Sequence, residues 1–110
     1  MMTASTSDTP VLDLLASMTA ESVEASTLDP ETLVLVRVAA LVAVDAPPFS
    51  YLMNLGAASQ VGIDADQIRG VLAAVAPIVG TARVASATGR IVDALDLAIE
   101  VAEVDAQSNG

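Results

Sequence analysis

The sequence predicts an all-α fold, a bundle of about five to six helices that assembles through helical faces. Three observations carry this expectation. Helix-start signals recur at Pro10, Pro30, Pro48 and Asp64; apolar residues between them follow helical spacing; and no segment shows the apolar–polar alternation of a half-buried strand. The run from Leu33 to Val44 is rich in β-branched valine, but its length and its preceding cap favour a helix over a buried strand.

The first helix starts at Thr9-Pro10. Val11, Leu12, Leu14, Leu15 and Met18 share one face, and Asp13 and Ser17 lie opposite. The second starts at Pro30, with Asp29 as its cap and Leu28 placed to staple onto Leu33. Its apolar residues point in all directions, which predicts a helix buried all round. Asp45-Ala46-Pro47-Pro48 ends it, because a residue before proline is driven out of the α region. The third helix runs from about Pro48 to Gln60, and Gly62 suits a left-handed terminal cap. Asp64 and Gln67 then form a capping-box pattern and Ile63 and Ile68 a staple for the fourth helix, which should bend near Pro77 and stop at Gly80. The last helix begins near Thr81. It directs Val84, Ile91, Val92, Leu95 and Ile99 inward and Asp93, Asp96, Glu100 and Glu103 outward. Residues 9–104 read as a single domain with one core, between disordered tails at 1–8 and 105–110.

Composition narrows the function classes. Hydrophobic residues make up 54% of the chain, while Phe49 and Tyr51 are its only aromatics and charged residues are only 16%. So little charge leaves a small globule short of polar surface, and part of the apolar excess is expected between subunits. A net charge of −10, from four arginines and no lysine against 14 acids, opposes nucleic acid and anionic membrane surfaces as partners. The absence of cysteine and histidine removes disulfides, thiolate nucleophiles and the commonest metal ligand and general base. No cofactor and no metal site is expected. The apolar runs are interrupted by Arg37 or by Pro77 and Gly80, and no positively charged leader precedes an apolar stretch, so a cytoplasmic location is expected.

Few side chains remain as candidates for chemistry. Arg37 stands out, because a guanidinium within an apolar helix must find a carboxylate, carbonyls or a ligand anion. Asp45 or another acid is the foremost partner, with an intersubunit pair or a ligand anchor as the alternatives. Ser50, Tyr51 and Asn54 cluster at the next helix start and could line a polar pocket with Arg37. Serine–histidine catalysis is excluded, since nothing in the chain can activate Ser50 in that way. Arg83, just after the Gly80-Thr81 turn, is a candidate anion-binding residue. Asp64 and Asp66 are accounted for by capping and the helix dipole, and the acidic stripe of the last helix by solvation, rather than by a cation.

The segment Leu28–Leu95 resembles the carboxymuconolactone decarboxylase and alkylhydroperoxidase-D-like family. The residues that carry the resemblance are the Leu28-Asp29-Pro30 helix start, the apolar helix and break that follow, then Asn54, Ala58, Gly62, Asp64, Asp66, Gln67 and Ile68 in the family's order, and the Gly80 turn before a long last helix. The resemblance implies an all-helical scaffold and self-assembly into a homotrimer or homohexamer. Redox members of the family carry two cysteines and a histidine at positions that correspond here to Pro47, Ser50 and Asn54. This chain therefore departs from the family in the parts that perform thiol peroxidase or disulfide reductase chemistry. The expectation that follows is an oligomeric binding or accessory protein without thiol redox chemistry. The alternatives are a non-redox lyase or isomerase acting on a small carboxylic acid or lactone, and a protein-interaction module.

Overall fold

The computed structural model describes the backbone of residues 8–109 and the side chains of residues 8–96. The fold is all-α: α1 (Pro10–Ala25), α2 (Pro30–Val44), α3 (Pro48–Gln60), α4 (Ala65–Val79) and α5 (Thr81–Asn109). The start of α2 follows from its sequence: the Asp29 carboxylate accepts the Thr32 N–H at 2.8 Å, with Pro30 occupying a position whose N–H is not needed. At α4 both halves of the capping box are made, Gln67 N–H to Asp64 at 2.9 Å and Asp64 N–H to the Gln67 side chain at 2.9 Å. Gly62 (φ 82°) and Gly80 (φ 87°) provide left-handed turns ahead of α4 and α5. The α4 helix continues through Pro77 to Val79.

Helix α2 is the spine of the bundle, packed against α3, α4 and α5. It is not buried all round. Leu33, Val34, Val38 and Val42 are buried, a stripe at helical spacing, whereas Val36 and Val44 are exposed. Valine content alone therefore misleads about burial, because on a helix it is position around the axis that decides which side chains meet a neighbour.

Instead of one core, two buried clusters form along this spine. Leu33, Val34 and Val38 meet Ala58 and Ile63 at one end; Val42 meets Ala46, Tyr51, Ala87 and Ala94 at the other. The second cluster also corrects the inward face of α5. Ala87 and Ala94 are buried and Ile91 packs beside them, but Val92 and Leu95 are both 52% exposed. The alanines let α5 approach α3 closely enough to enclose the Tyr51 ring, and this turns the larger Val92 and Leu95 outward. Ile99, Glu100 and Glu103 lie outside the residues whose side chains are described, as does most of the expected 1–8 tail from the described backbone. Helical backbone continues past residue 104 to Asn109, into the segment read from sequence as a C-terminal tail.

Helix α1 stands apart. None of its residues is buried, and Val11, Leu12, Leu14, Leu15, Met18 and Val23 are each at least half exposed. The apolar face predicted for it exists, and none of its side chains is buried.

Candidate functional site

The break between α2 and α3 builds the main polar cluster. Asp45 caps α2 in the left-handed conformation (φ 55°, ψ 52°), the only described non-glycine residue at positive φ. That conformation is costly for most side chains and tolerated by aspartate. It carries the carboxylate to α5, where the Ser86 hydroxyl donates to Oδ1 at 2.6 Å and Arg90 Nη2 lies 3.5 Å from Oδ2. The Ser86 hydrogen bond foremost, then the charges of Arg90 and Arg83, hold the Asp45 carboxyl below its ordinary value of 3.8, against the opposing effect of desolvation.

Tyr51 enters the same region from α3. Its ring is fully buried, and its hydroxyl has no hydrogen-bond partner among the described residues. Burial pushes the phenol above its ordinary value of 10.0, and the Asp45 charge adds to this while Arg90 opposes it. At neutral pH Tyr51 is therefore a protonated phenol and no base.

Arg37 does not meet Asp45. The two are eight positions apart on one helix, about 12 Å along its axis, and Asp45 is turned toward α5. Arg37 instead reaches α1, where Nη2 donates to Ser22 Oγ at 3.0 Å and to the Thr19 carbonyl at 3.4 Å. Among the described residues no carboxylate lies within ion-pair distance of it. The requirement for a buried counter-charge disappears because Arg37 is only half-buried and reaches oxygens of α1.

The other candidates do not converge with it. Asn54 Nδ2 donates to the Ser50 carbonyl at 2.9 Å, a bond within α3 that occupies the amide on its own helix turn. Ser50 N–H bonds the carbonyl of exposed Pro47, so Pro47 and Ser50 form the start of α3, and Asn54 lies one turn further along it. Arg83 is exposed and lies near enough to Asp45 to influence its ionisation, which associates it with the acid cluster. Among the described residues no group of three or more acids could hold a metal ion, and no helix is long and apolar enough to cross a membrane.

An apolar concavity lies elsewhere. A groove of about 430 Å³ runs between α3, α4 and α5, with Leu55, Ile68, Leu72, Ile91, Val92 and Leu95 among its walls. Among the described residues, Asp64 and Arg69 are its only charged lining residues. Arg37, Ser50, Tyr51 and Asn54 do not line it. Neither motif nor residue type marked this groove in the sequence. The available signal was the surplus of large apolar residues on α5, which was assigned to the interior.

Compared with protein-family models, with curated proteins and with solved structures, the chain finds no match in any of the three. Its functional reading accordingly rests on the two features just described, the Asp45 cluster and the apolar groove.

Proposed function

We propose that this protein is a binding module that takes an amphipathic helix into the groove between α3, α4 and α5, as an oligomeric binding or accessory protein on an alkylhydroperoxidase-D-like helical scaffold. The observation that carries the reading is the groove's lining. Its walls are mainly aliphatic side chains contributed by three helices, with charge among the described residues only at Asp64 and Arg69. A helix laid in such a groove is held by apolar anchors spaced at i, i+3, i+4 and i+7, and burying each large aliphatic anchor contributes about 1.5–3 kcal/mol. A small carboxylic acid would need a guanidinium and hydrogen-bond donors facing one cavity. Arg37, Ser50, Tyr51 and Asn54 are engaged separately, with α1, with α3 and within the second core cluster, which withdraws support from the lyase or isomerase reading.

The test is a fluorescence-anisotropy titration of a labelled model peptide with leucines at i, i+3, i+4 and i+7, with the chain kept dilute. Saturable binding is expected, weakened about tenfold or more by Val92→Asp, which places a carboxylate in the groove wall. Unchanged binding in Val92→Asp, or no binding by the wild-type chain, overturns the reading.

A further inference from the structure

We draw no further inference here: the strongest candidate, the exposed apolar face of α1 around Leu15 and Met18, carries nothing because nothing in the structure shows what covers it.

Discussion

The Ser86 hydroxyl donates to the Asp45 carboxylate at 2.6 Å, joining the α2–α3 break to the second turn of α5. This contact and the left-handed backbone of Asp45 depend on each other. The conformation aims the carboxylate at α5, and the bonds to Ser86 and Arg90 help stabilise a backbone geometry that most residues avoid. Asp45→Asn keeps left-handed tolerance and a side-chain acceptor but loses the charge paired with Arg90, so its thermal midpoint should fall between those of the wild-type chain and Asp45→Ala. Asp45→Ala keeps neither and should melt clearly lower in the same measurement. Equal melting of the two variants would mean that the contact contributes nothing.

The same pair sets a pH dependence. The folded-state ionisation of Asp45 is lowered from its ordinary 3.8, so the folded state binds that proton less readily than the unfolded chain does. Its contribution to stability is complete above about pH 3.8 and disappears as the pH falls through the lower folded value. Asp29, lowered by its hydrogen bonds from Thr32, acts in the same direction. Acid unfolding followed by circular dichroism should therefore begin at higher pH in Ser86→Ala than in the wild-type chain. An unchanged acid transition would argue against the role assigned to Ser86.

Tyr51 presents the opposite situation, a buried polar atom without a partner among the described residues. Removing such a hydroxyl removes a desolvation cost without breaking a bond, so Tyr51→Phe should be neutral or stabilising by about 1 kcal/mol in urea unfolding. A clear loss of stability would show that the hydroxyl makes a bond that matters, and would restore Tyr51 as a polar site residue.

Much of the architecture was legible because its signals are local. Asp29-Pro30 and the Asp64–Gln67 box start helices through contacts within four residues, and the φ values of Gly62 and Gly80 answer to turns at their own positions. What could not be read depends on partners remote in sequence. Arg37 finds oxygens on α1 rather than Asp45, and Asp45 finds Ser86 forty-one positions away. The rotation of α5 depends on Ala87 and Ala94 packing against Tyr51, whereas apolarity alone favoured Val92 and Leu95. The groove follows from that rotation, so it was hidden for the same reason.

Val38 and Val36 offer a direct test of the stripe on α2, since they are two positions apart on one helix with opposite exposure, 0% and 52%. Val38→Ala leaves a cavity in the first core cluster and should cost about 2 kcal/mol. Val36→Ala should stay within about 0.5 kcal/mol, as a surface substitution does. Urea unfolding of both variants checks the orientation of α2, and similar losses would contradict it.

Arg37 is the last discriminating residue, because its two bonds to α1 are the tie identified between that helix and α2. In Arg37→Ala the bundle formed by α2 to α5 keeps its buried residues, none of which contacts the guanidinium through a hydrogen bond, so global unfolding in urea should change little. Helix α1 should lose its anchor, and its amide protons should exchange faster while those of α2 keep their protection. Hydrogen exchange read by peptide mass separates these outcomes. Arg37→Gln retains a donor able to reach Ser22 Oγ and should recover part of the protection in α1. Equal protection of α1 in Arg37→Ala and the wild-type chain would mean that α1 is held by something other than Arg37.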